Sequence, residues 1–304
     1  MLVIAGGQIF VDPHQPATLF RVFGSQSTRA KLGKPVAAVG LMAISVALIM
    51  LCFPATTGCF LQIIFAWGVQ HWLAQTYGIA LIYCYKRDYR LSKAEREIMH
   101  AMVRAAIIYL WFRLFYKELD GPHFTLGAQF TPLYFIPDWL YNLSLTVLLL
   151  SMAVFAVMVI RKFILEKRFF PLPALANLLT LMLLPFLAHD TRIVISALAS
   201  PFFHSSQYLV VTAAFYLKEH SLAPLKPSQI SRLLFSRTFA KYFAVVFTAG
   251  LFLCILLPYS MTYLGIAKSL AFPTVYVMLN FHHFITDAYI WKLRDPDLQR
   301  LLVA

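Results

Sequence analysis

The chain has 304 residues, 60% of them hydrophobic and 13% charged, where a soluble domain carries about 45–50% apolar and about 25% charged residues. A mean hydropathy of +0.71 excludes a soluble globular domain, a disordered chain and a disulfide scaffold, and leaves a polytopic membrane protein. The net charge of +13, from 26 Lys and Arg against 13 Asp and Glu, then reads as basic cytoplasmic loops, with no soluble domain that could present a nucleic-acid surface.

Residues 1–35 are expected to form a cytoplasmic N-terminal segment. The apolar run of residues 1–10 is too short to span a bilayer and lacks the basic flank of a signal peptide. Eight apolar segments of roughly spanning length follow. They are residues 36–54, 58–84, 98–116, 138–160, 170–188, 194–217, 239–259 and 269–291. The third holds Arg104 and Arg113, so it is expected to begin as an amphipathic stretch near Ser92 and to let both arginines snorkel. The expected fold is an all-α transmembrane bundle over residues 36–291, of about eight spans, with a short cytoplasmic tail at 292–304. Charge supports this topology: 21 of the 26 basic residues fall in the segments that eight spans place on one side. Only Lys117, Arg192 and Lys268 fall on the other, besides the two arginines inside a span. Both termini are therefore expected in the cytoplasm, with the bundle in a bacterial inner membrane.

Cys52, Cys59, Cys84 and Cys254 form no C-x-x-C pair. Cys52 and Cys59 flank one short turn and are close enough to pair, although free thiols are expected. At the outer side, His189, Asp190 and Arg192 read as an interfacial turn, and the aromatic-rich loop Tyr116–Asp138 as an interfacial cap. His100 and Arg104 stand one turn apart, as a phosphate contact or a snorkelling pair.

A charged residue at bilayer depth costs on the order of 2.5–3.5 kcal/mol, so such residues face the bundle interior and mark function. The last segment carries the densest pattern. Tyr276, Asn280, His283 and Asp287 recur at helical spacing on one face, and Asp287 is the acid clearly inside a span. A His and an acid one turn apart can bind a metal together, or the acid can accept the second imidazole N–H and orient it. His282 points about 100° away. The second segment adds Trp67, His71 and Gln75, and the sixth adds Ser200, His204, Gln207 and Tyr208 just after Pro201. The expected centre gathers His71, His204, His283 and Asp287 around one metal, with His282 as a further candidate ligand. Gln75, Gln207, Asn280 and Tyr276 would support it. Asp287 and Tyr208 would carry the chemistry. Imidazole with carboxylate suits non-haem iron, and imidazole alone also suits zinc or copper.

With His71, His204, His282 and His283 dispersed over membrane segments, the chain resembles two kinds of integral-membrane non-haem iron enzyme. One is the bacterial Brp/Blh-type carotene-cleaving dioxygenases, the other the fatty-acid hydroxylases and desaturases. The His282-His283 pair stands without the upstream HxxxH box of the second family. The resemblance implies a metal-dependent oxygenase or oxidase acting on a membrane lipid or other apolar small molecule, with a redox partner and no nucleic acid. Two other classes compete with it: a proton- or cation-coupled transporter, and a non-catalytic membrane assembly protein.

Overall fold

The computed structural model describes residue 9 and residues 11–24, 26–116, 123–125, 128–130, 135–187, 193–220 and 235–291. Among these residues the regular structure is helical, apart from the three-residue strands His123–Thr125 and Ala128–Phe130. Ten helices are labelled in chain order. They are α1 (His14–Phe23), α2 (Gln26–Cys52), α3 (Thr57–Lys86), α4 (Lys93–Leu114), α5 (Asp138–Glu166), α6 (Leu172–Leu187), α7 (Ile193–His220), α8 (Arg237–Leu251), α9 (Leu257–Tyr263) and α10 (Lys268–Ile290). A helix covers each of the eight apolar segments. Three stretches among the described residues are long and apolar enough to cross a membrane: Thr28–Cys52, Asp138–Glu166 and Arg237–Tyr263. The third of these runs through α8 and α9, joined by a π-helical stretch, Phe252–Leu256. Pro258 follows two residues after its end. It has no N–H to return to Cys254, and its ring crowds that carbonyl, so the ladder widens there.

The chain divides into two compact units. One comprises Met1–Ile64, Phe124–Phe130 and Pro201–Leu302, the other Phe65–His123, Thr131–Ser200 and the last two residues.

In the first unit α2 and α10 pack along each other, and α1 packs against α2, α8 and α10. Helix α1 falls within the residues expected as a cytoplasmic segment outside the bundle. It is amphipathic, with His14, Gln15, Pro16, Ala17, Thr18 and Val22 buried and Phe23 exposed. Its two prolines, Pro13 and Pro16, sit at its entry and first turn, where no N–H is needed. Ala17 enters a core with Tyr208, Ala213 and Tyr216 of α7 and Tyr242 and Val246 of α8. Val22 packs with Val36 and Ile290, while the Arg21 guanidinium stacks 3.5 Å over the Phe215 ring and donates to Thr28.

In the second unit α4 and α5 pack together. Helix α4 opens with a reciprocal cap: Ser92 Oγ accepts from Glu95 N–H at 3.2 Å, and Glu95 accepts from Ser92 N–H at 2.6 Å. Lys162 counts with a cytoplasmic loop on charge alone, but it lies inside α5. Its side chain is 7% exposed and reaches Glu95 at 2.9 Å, Glu166 at 3.1 Å and the Arg90 carbonyl at 2.8 Å. Asn177 of α6 donates to the Thr76 carbonyl of α3 at 3.0 Å. All four cysteines are free thiols, Cys52 and Cys59 included. His100 stacks on Tyr77 at 4.8 Å. The His189–Arg192 turn and most of the aromatic outer loop lie outside the described residues.

Candidate metal centre

Three imidazoles from three helices of the first unit meet in its interior: His14 of α1, His204 of α7 and His283 of α10. Each offers one ring nitrogen, and these nitrogens all lie within 4.8 Å of one another. The residues are 4%, 1% and 0% exposed. The His14 ring stands edge-on to both others, with centroids 4.8 Å from His283 and 5.4 Å from His204, and the His204 and His283 centroids are 6.0 Å apart. Nitrogens around a tetrahedral metal with bonds near 2.1 Å sit about 3.4 Å apart, so the rings would close by up to about 1.4 Å to hold one ion.

The hydrogen bonds assign a tautomer to His14 and, with Asp287 ionised, to His283. His14 Nδ1 faces the Val11 carbonyl, which can only accept, so Nδ1 carries the hydrogen and Nε2 the lone pair. Burial pushes the His14 imidazole down to about 4, against the pull of that carbonyl, so it is neutral near pH 7, as a ligand must be. His283 Nδ1 lies 2.7 Å from Thr18 Oγ1. Thr18 also lies 2.6 Å from Tyr208 Oη and 3.3 Å from Asp287 Oδ1, and Tyr208 donates to Asp287 at 2.7 Å. Trp291 Nε1–H donates to Tyr208 at 3.3 Å. With Asp287 ionised and the Tyr208 hydrogen spent on it, Thr18 donates to Tyr208 and accepts from His283 Nδ1–H. That assignment leaves Nε2 as the acceptor atom of His283.

The expected residues distribute as follows. His204 and His283 are in the cluster. Asp287 is one turn from His283, with Oδ1 at 3.7 Å from Nδ1, and it engages Tyr208 and Thr18. Its place is behind the imidazole, on the side away from the acceptor nitrogen. Tyr208 belongs to the same hydrogen-bonded set. His282 turns towards α2, with Nε2 at 3.4 Å from the Val36 carbonyl and its ring against Gly40. It takes no part in the cluster. Asn280 is buried and donates to the Tyr276 carbonyl at 2.8 Å, within its own helix. Tyr276 and Gln207 are half-buried on α10 and α7. His71 and Gln75 sit, half-buried, on the part of α3 that belongs to the second unit. The expected set lacks His14 and Thr18. The signal that marks them is the four-residue spacing of two polar side chains between apolar ones, on a helix too short to register as a span.

Gly250 of α8 sets the approach of α1. A Cβ there would stand 2.9 Å from Asp12 C and Pro13 N and 3.0 Å from Asp12 O, all backbone atoms. Alanine inside a helix normally gains about 0.5–1 kcal/mol over glycine. Here the clash reverses the sign. Gly250→Ala is expected to destabilise the protein by about 1–3 kcal/mol and to displace the turn that leads into His14. A thermal melt in detergent checks this, and an unchanged or raised midpoint would contradict it.

No family model, no curated protein and no solved structure matches the chain.

Proposed function

We propose that the chain is a multi-pass integral-membrane metalloenzyme, an oxygenase or oxidase that acts on a lipid or other apolar substrate at a centre held by His14, His204 and His283. The observation that carries this reading is the convergence of three buried imidazoles from three helices, two of them with acceptor nitrogens assigned by their hydrogen bonds. Three apolar helices of spanning length and the 21-of-26 basic asymmetry support eight spans with both termini in the cytoplasm, in a bacterial inner membrane. An all-imidazole donor set suits iron, and also zinc or copper. Bound iron would supply redox chemistry on dioxygen, with electrons from a redox partner. The residues themselves bind the ion, hold His283 through Thr18, and keep a proton between Tyr208 and Asp287. The surrounding apolar helices limit water, where an apolar substrate dissolves.

Elemental analysis of protein purified from membranes tests the reading. About one iron per chain is expected, with dioxygen uptake in the presence of apolar substrate and a reductant. A metal-free protein with all three histidines intact would end it.

The hydrogen-bonded run from His283 through Thr18 and Tyr208 to Asp287 favours a second reading, a proton- or cation-coupled transporter. Ion or proton flux in proteoliposomes, without metal, would favour it over the enzyme.

A further inference from the structure

We infer that Thr18 is a positioning residue that makes His283 a metal ligand, an inference that rests on the metal reading above. Its hydroxyl bridges the imidazole and the acid behind it: His283 Nδ1 is 2.7 Å from Thr18 Oγ1 but 3.7 Å from Asp287 Oδ1, beyond hydrogen-bond reach. One hydroxyl offers one hydrogen and two lone pairs. With Asp287 ionised and holding the Tyr208 hydrogen, it satisfies these neighbours by accepting from His283 and donating onward to Tyr208. That fixes the hydrogen on Nδ1 and the lone pair on Nε2. Thr18 is fully buried, so no water replaces it cheaply. Its methyl group restricts the rotamer that aims the hydroxyl.

Placement makes the role specific. Thr18 lies one helical turn after His14, on the buried face of α1. A single short helix thus delivers one ligand and the group that orients another. A carboxylate–imidazole–metal arrangement usually has the acid bonded directly to the ring. Here a hydroxyl from a different helix is interposed, so His283 is set as a ligand when α1 is docked.

The test uses the full-length protein in detergent, stripped of metal and titrated with zinc or ferrous ion. Thr18→Val keeps the shape and removes the hydroxyl, and is expected to weaken binding by about 10–100-fold. Thr18→Ser keeps the hydroxyl and should stay within a few-fold of wild type. The ¹⁵N shifts of His283 in the wild type should report hydrogen on Nδ1, and in Thr18→Val a mixture of tautomers. Equal affinity in Thr18→Val and wild type would overturn the inference, as would equal loss in the valine and serine variants. Should Thr18→Val not fold, the wild-type shifts decide, since hydrogen on Nε2 contradicts the role. His204→Ala serves as the control: if it binds metal as the wild type does, the metal reading itself has failed. If it loses metal while Thr18→Val does not, only the role of Thr18 is lost.

Discussion

His14→Ala is expected to leave the purified protein without bound metal. His14 supplies one of the three imidazole nitrogens in the cluster, while Asp287, beside His283, is engaged by Tyr208 and Thr18. Two imidazoles hold a divalent ion far more weakly than three. The loss should exceed the roughly 10–100-fold of an orienting residue. The methyl group left by the substitution fits the space, and α1 keeps the apolar contacts of Ala17 and Val22, so the helix stays docked. The expected outcome is therefore a folded, metal-free protein. A second readout follows from linkage. A ligand present at about 1,000 times its dissociation constant adds about 4 kcal/mol to stability. Added metal should raise the melting midpoint of the wild type and leave that of His14→Ala unchanged. His282→Ala is the contrast, because that ring faces Val36 and Gly40 of α2, and its metal content should match the wild type. Full metal in His14→Ala would remove α1 from the centre.

How far sequence reasoning reaches is visible in these same residues. Each of the eight apolar segments is helical, because apolar runs of that length with so few charges have few alternatives to a helix. Their edges are less legible. Helix α2 begins at Gln26, ten residues before the apolar run, and continues through Pro35, a residue that by itself reads as a boundary. His204, Tyr208, His283 and Asp287 stand out because polar groups inside apolar helices are expensive. Sequence periodicity shows that His283 and Asp287 share a face, but not which other helix turns towards that face. That choice is made by packing. Thr18 enters between α7 and α10 on a segment that has no apolar run of spanning length. Ten residues are too few to span a bilayer, so α1, although amphipathic, reads as tail. The direction of His282 is the converse case: the 100° step along the helix separates it from His283 without any knowledge of neighbours. Lys162 shows the limit of charge counting, since a lysine assigned to a loop by sign alone is buried against two acids.

That lysine carries the largest expected effect on stability. Lys162 joins α5 to the first turn of α4, donating to both oxygens of Glu95, at 2.9 and 3.0 Å, and to the Arg90 carbonyl. Removing one partner of a buried pair costs about 3–5 kcal/mol, because the other charge stays behind uncompensated. Glu95 keeps 19% of its side chain exposed, so some water reaches it and Lys162→Met should fall near the lower end, about 3 kcal/mol. Methionine preserves the apolar stem, and the change removes the ammonium, which stands 5.3 Å over the Tyr89 ring, together with its ion pairs. Acid provides an independent check. Burial alone would raise the Glu95 carboxyl, but the Ser92 N–H and the Lys162 ammonium outweigh it and hold it below the ordinary range. A depressed carboxyl stabilises the fold above its unfolded value, near pH 4.3, and that contribution fades as pH falls through the folded value. In Lys162→Met part of this acid dependence should vanish, so the gap in melting midpoint between variant and wild type should be wide at pH 7 and narrow towards pH 4. The double variant Lys162→Met with Glu95→Gln removes both charges, while glutamine can still close the cap on Ser92. It should recover much of the stability that the single change loses, with coupling measurable by a double-mutant cycle. If the single variant melts with the wild type at pH 7, or if the double variant is additive in its losses, the pair between α4 and α5 is not what holds that junction.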